Sequence, residues 1–293
     1  MKTNKWIWLL TVVALVGVLY ITSQIGSEKL EITEHIPSEE VQSIEITNDS
    51  WDIEVKESTD NEVHVDINGK QKDKKKVPVS VTHQDHKLII QQNKQIGGAL
   101  SAFTFEKEGT ITILVPKNTV EQVTLINKEG DLDIHTLASQ KLTVKNQAGN
   151  VKFNQVEADS GVLNLIVGDL TVNNSSFGNL DVVAKANDLY FNNTTSTTSS
   201  VWNVFSEKGE IVLKGIDEKG ELNVETKTGD IQVGYSSAPS SLKVAVENTK
   251  GDTTVNLANL STTNNTDEEI NGMIGAGEYL LHLKSHSGNI AIK

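Results

Sequence analysis

Eight positions carry an acidic or amide side chain directly after a glycine or a residue standing in its place: Asp131, Asn150, Asp169, Asp188, Glu210, Asp230, Asp252 and Asn289. Stacked in a column, their oxygens could ligate Ca²⁺, which takes about six to eight carboxylate and carbonyl oxygens. The glycine-rich nonapeptide of calcium-loaded β-rolls is missing from the sequence, however. Asp and Asn also favour such places because their side chains bond nearby backbone. Turn chemistry is the reading adopted, and no metal ligand is assigned.

The histidines do not assemble by spacing. His83 and His86 are three apart, on opposite faces of a strand, and His282 and His286 are four apart within one segment. His35, His64 and His135 lie far from one another along the chain. No G-x-S-x-G, H-E-x-x-H or P-loop pattern occurs, so no catalytic residue and no cofactor is assigned. Carboxylate pairs are too numerous to discriminate, which leaves a polysaccharide hydrolase or lyase as the enzyme alternative. Against it, outward positions are mainly Thr, Asn, Lys and Ser, and Trp202 falls at an apolar position suited to a core.

Composition narrows the classes further. The 26 basic residues are all lysine, and with 39 acidic residues the net charge is −13. Arginine supplies the bidentate fork for phosphate and guanine, and an acidic chain repels a phosphate backbone. Nucleic acid is excluded as a partner. With no cysteine, disulfides, thiolate zinc sites and thiol nucleophiles are excluded too.

The elements that position these residues form a repeat. VTLINKEGDLDI, LTVKNQAGNVKF, LDVVAKANDLYF, WNVFSEKGEIVL, LNVETKTGDIQV, VAVENTKGDTTV and LHLKSHSGNIAI share alternating apolar residues, a turn residue, then apolar–x–apolar. LNLIVGDLTV reads as a copy two residues shorter before its glycine. The turn positions are Gly130, Gly149, Gly168, Asn187, Gly209, Gly229, Gly251 and Gly288, with the first four 19 apart. IEITNDSWDIEV is an earlier echo with Trp51 in the glycine place.

Period-2 alternation marks strands with one buried face. Gly and Asn at the turns imply positive φ. Each copy is followed by a third β-like stretch, such as Gly161–Val162 or Ser240–Leu242. One such unit cannot bury its own face, whereas stacked copies can. The expectation is an all-β chain, a β-solenoid (β-helix-like) of ~20-residue repeats with Leu142, Leu163, Leu180 and Leu222 laddered inside. Serial hairpins in an open sheet or sandwich are the alternative.

At the other end, residues 6–25 are mostly apolar, follow Lys2 and Lys5, and carry Trp6, Trp8 and Tyr20 near the two ends. Twenty helical residues span roughly 30 Å, one hydrocarbon core, and the charge bias places the N-terminus inside. The expected organisation is a cytoplasmic stub 1–5, a transmembrane anchor 6–25, an acidic linker 26–40, an irregular N-terminal β subdomain 41–116 that caps the first edge, and the solenoid 117–293. The bulk of the chain is then extracytoplasmic on a single-pass bacterial membrane protein. Signal cleavage would instead release a secreted adhesin. The lysine-rich stretch 68–76 reads as a solvated hairpin loop or a contact with an anionic polymer or membrane surface. The apolar loop Ile96–Phe103 reads as tucked under the sheet or meeting a partner.

An anchor followed by copies such as ETKTGDIQV and SHSGNIAI resembles the bacterial putative-adhesin domain family, and in layout the LiaG-type membrane-anchored proteins of envelope-stress operons. The resemblance covers residues 40–293. It implies a β-solenoid with an envelope-associated binding, scaffold or stress-response role, with an envelope protein or cell-wall polymer as partner. It brings no catalytic residues.

Overall fold

The computed structural model describes residues 23–24, 27–71, 77–93, 109–117, 120–266 and 268–293. Among these the chain is all-β apart from a 3₁₀ turn at Ser38–Glu40. Two long sheets, of 13 and 14 strands, face each other across one continuous core. Their parallel runs repeat at 19- to 22-residue intervals and are consistent with a solenoid.

Each central coil is a longer strand, a glycine turn and a shorter strand. Ala138–Ala148 and Val151–Asn154 form one coil; Glu157–Val167 and Leu170–Asn173 form the next. All longer strands pair in parallel in one sheet, and all shorter ones in the other. Alternation decides which side is buried. In the short-strand sheet, Leu132, Val151, Leu170, Leu189, Ile211, Ile231 and Ile290 stack as direct partners. Each is buried, and full burial of such a side chain stabilises by roughly 1.5–3 kcal/mol. Phe153, Phe177, Trp202 and Phe191 make an aromatic cluster mid-core, with ring centroids 6.2–6.4 Å apart.

The copy read as two residues short is of full length. Leu142 pairs with Gly161, not Leu163, and Gly161 pairs in turn with Leu180. A Cβ at Gly161 would press on Leu180 and Phe177. The small residue makes room for an aromatic ring, and this hid the register from an apolar-pattern alignment. The stretches read as third strands are the leading halves of long strands or, at Ser240–Ser241, the approach to Leu242–Asn248.

The stack does not follow chain order at either end. The last copy, Tyr279–Ser285 with Ile290–Ile292, is wedged between the copies turning at Gly229 and Gly251, so that Leu281 pairs with both Leu222 and Val244. At the other end Ser43–Asn48 and Asp52–Glu57 lie between Gln122–His135 on one side and Lys87–Gln92 with Gly109–Val115 on the other. The division at 116/117 therefore has no counterpart in the sheets: the Trp51 echo is a coil of the same stack.

Among the described residues, antiparallel strands cover three of the four sheet ends, and the fourth ends on Thr253–Val255, which pairs in parallel with Ile290–Ile292. Val79–Gln84 covers Lys87–Gln92, and Glu269–Ile274 covers Leu242–Asn248. Glu62–Gln71 covers Gly109–Val115 and is itself covered by Ser27–Pro37. The segment read as a linker, 26–40, is thus mostly strand. Leu30 and Ile36 point into the core and are buried, whereas Glu34 on the same face is held above the usual carboxylate range by burial. Of the expected anchor, only Ser23–Gln24 is described, as a short strand on Ser27–Glu28; the rest lies outside the described residues. So do 72–76 of the lysine-rich stretch, whose Asn68–Gln71 are strand, and the loop Ile96–Phe103.

Candidate functional site

The turn positions form one column along the stack. Gly130, Gly149 and Gly168 have φ of +108° to +112°, and Gly209, Gly229, Gly251 and Gly288 have φ of +142° to +148°. These values lie well beyond the left-handed helical region near +57° that Asn tolerates. Crowding adds a second restriction: a Cβ at each glycine would collide with the backbone carbonyl of the turn stacked on it, Gly229 against Gly209 and Gly288 against Gly229. Asn187 does not share this conformation, since it is not among the residues of positive φ. Its Oδ1 accepts the N–H groups of Lys185 and Ala186 at 3.1 Å, and its Nδ2 donates to the Gly168 carbonyl. The buried amide closes the turn with its side chain instead.

The residues after the turns link neighbouring coils. Asp131 Oδ1 accepts the Asn150 N–H at 2.9 Å, Asn150 Oδ1 that of Asp169 at 3.0 Å, and Asp188 Oδ1 that of Glu210 at 2.8 Å. Asp230 does the same for Asn289, and Asn289 for Asp252. One oxygen of each thus neutralises a backbone donor left over where the strand ends.

Two features of the coil had no counterpart in the sequence reading. Thr136, Gln155, Asn174 and Asn193 occupy the left-handed region with φ of +50° to +57°, a second corner after each short strand. Inside the stack, Asn48 Nδ2 donates to Asn127 Oδ1 at 2.5 Å and Asn127 Nδ2 to Asn146 Oδ1 at 2.6 Å, a buried amide ladder. It stops where Leu165 occupies the equivalent place.

The histidines do not all stay apart. His35 and His64 are direct cross-strand partners between Ser27–Pro37 and Glu62–Gln71. Their rings meet edge to face with centroids 4.4 Å apart. His35 Nδ1 lies 3.4 Å from Glu62 Oε2, and His64 Nε2 lies 2.8 Å from Asp60 Oδ1. The hydrogen bond from His64, helped by those from the Glu62 N–H and Ser58, holds the Asp60 carboxyl down at about 2. His35, Glu62 and His64 each offer one donor atom within 4.8 Å of the other two. The sequence did hold a signal for this site, the alternation of Leu30, Ile32 and Ile36. Reading the segment as a linker hid the pair.

His83 and His135 each sit beside a carboxylate, Glu40 and Asp133, and His282 beside Glu247. A buried carboxyl was missed as well: Glu218 accepts the Tyr235 hydroxyl at 2.7 Å, and burial pushes it up to about 7 while also raising Tyr235. Trp202 is core, its indole N–H donating to the Gly178 carbonyl at 2.7 Å.

On the outer face of the long-strand sheet, Asp181 Oδ1 accepts from Asn203 and Asn203 Oδ1 from Asn223, at 2.8 and 3.1 Å. Exposed Val183 and part-exposed Phe205 pair beside this row.

The family model described as Toastrack DUF4097 matches residues 41–293. A putative adhesin from Bacteroides fragilis is 15% identical, with a TM-score of 0.41, covering 90% of this chain and 97% of that one. A putative adhesin from Parabacteroides distasonis is 12% identical, with a TM-score of 0.41 and coverage of 90% and 97%. A putative cell adhesion protein from Clostridium sporogenes is 13% identical, with a TM-score of 0.27 and coverage of 90% and 99%. No curated protein matches the chain.

Proposed function

The chain belongs to the Toastrack DUF4097 family, and from that premise we propose a non-enzymatic binding or scaffold domain of the bacterial envelope. Residues 6–25 tether it to the membrane, and the stack stands outside. The observation that carries this reading is the use made of the polar side chains. The acidic and amide residues of the turns bond the backbone of the next coil, which favours a structural over a catalytic role for them. What the stack offers a partner is a rigid outer face, where Asp181, Asn203 and Asn223 run in a hydrogen-bonded row beside Val183 and Phe205. A row of one carboxyl and two amides next to apolar side chains suits a repetitive or extended partner, such as a wall polymer or an envelope protein.

The test is cell fractionation combined with external protease. The protein is expected in the membrane fraction and shaved from outside, and the purified protein is expected to be retained on wall or membrane-protein fractions. A soluble product starting near Gln24 would favour the secreted-adhesin alternative. Release of reducing sugar from wall polysaccharide by the pure protein would establish the enzyme instead.

A further inference from the structure

We propose that His35, Glu62 and His64 form a binding site for a transition-metal dication of the Zn²⁺ class. The two imidazoles come from directly opposed residues of an antiparallel pair, whose Cβ atoms lie about 4.5–5.5 Å apart, so one ion can reach both. Glu62 is the partner of Pro37, two residues from His35 on the same face, and its carboxylate already approaches His35 Nδ1. Zinc needs nitrogen and oxygen donors at about 2.0–2.2 Å. Donors already within 4.8 Å of one another reach that geometry by side-chain rotation alone, the backbone of His64 being held by pairing with His35 on one side and Leu114 on the other.

Donor chemistry selects the ion. Two imidazoles and one carboxylate suit Zn²⁺, Co²⁺, Ni²⁺ or Cu²⁺, whereas Ca²⁺ and Mg²⁺ call for all-oxygen cages. Asp60 supplies the outer support common at such sites: a carboxylate on His64 Nε2 keeps the proton there and leaves Nδ1 its lone pair. The site lies open, with His35 and Glu62 side chains 51% and 47% exposed and His64 13%. Water therefore completes the coordination, and the ion exchanges freely. Along the same row Leu114 follows His64 and Lys56 follows Leu114. Lys56 is paired with Glu54, so Leu114 separates the site from the cation in its own row. A bound ion would staple the outermost long strand to the strand beneath it.

The experiment uses the full chain in detergent, purified without a histidine tag and stripped of metal. Co²⁺ is titrated while visible absorption is followed, and Zn²⁺ is then added as competitor. One Co²⁺ per chain with d–d bands is expected, displaced by Zn²⁺ but not by Ca²⁺. His35→Ala and His64→Gln should abolish the bands. Asp60→Asn should weaken binding about 10-fold or more, and His135→Ala should change nothing. The half-exposed His35 makes His35→Ala the variant least able to disturb folding, and metal-free melting midpoints confirm that each variant is folded. Equal Co²⁺ binding by His35→Ala and the parent, or the absence of stoichiometric binding by the parent, overturns the site.

Discussion

A single methyl group at Gly229 would have to enter the space of the Gly209 carbonyl, in a backbone conformation that L side chains rarely adopt. Two independent obstacles thus meet at one atom. Gly229→Ala is expected to destabilise by at least about 1–3 kcal/mol from backbone strain alone, and the collision adds to that. Gly229→Asn should be no milder, because φ of +144° is not the region Asn tolerates and because Asn187 closes its own turn differently. Lys227→Asp, two residues away, loses an exposed pairing with Glu207 at 3.3 Å and should change stability by less than about 1 kcal/mol. Urea unfolding of the three variants checks the order, and a harmless Gly229→Asn would remove crowding from the explanation.

Individual coils are neither independent nor equal. In an ordinary linear array a terminal repeat contacts one neighbour, so its loss trims the stack by one unit. Here the last copy in sequence is an interior one, paired on both sides through Leu281 and Leu283. Removing 279–293 should leave Leu242–Asn248 and its antiparallel cover Glu269–Ile274 without a surface to dock on. A chain ending at 278 is therefore expected to yield the same protease-resistant core, ending near Tyr235, as a chain ending at 240. Continued protection of 242–274 would show that this outer coil finds another hold. The antiparallel covers have a common purpose, since parallel edges present unpaired N–H and C=O groups to other chains. Ser27–Pro37 is itself an outer antiparallel strand, and Glu34, pointing inward from it, makes that edge costly to extend.

Across the molecule, the buried polar side chains among the described residues are amides and hydroxyls except for Glu218, whose ionisation folding must accommodate. Its carboxyl is raised from 4.5 to about 7, mainly by burial. The folded state therefore keeps a proton that the unfolded chain has lost. Stability from this group is complete below pH 4.5 and falls as pH rises toward 7, by roughly 3 kcal/mol in all. Glu218→Gln retains an acceptor for the Tyr235 hydroxyl and should flatten that part of the curve. Urea midpoints of the two proteins between pH 4.5 and 8 provide the measurement. Parallel curves would mean that Glu218 titrates normally when folded.

The amino-acid sequence by itself determined what depends on neighbours a few residues away. Alternation in LTVKNQAGNVKF or LNVETKTGDIQV marks strands and their buried faces, because successive side chains point to opposite sides of a strand. The 19- to 22-residue interval shows that strands recur, and hence that the chain is all-β. Tertiary structure decided everything that depends on which distant segment lies alongside. Leu142 meets Gly161 and not Leu163, and Leu180 and Phe177 fill the space that a Cβ at 161 would take. The last copy enters between two earlier ones, an order that the spacing of the copies along the chain does not carry. His35 meets His64 only because Ser27–Pro37 is a strand at all. A strand's alternation is a local property, but its partner is chosen by packing between segments tens of residues apart, and no short pattern records that choice.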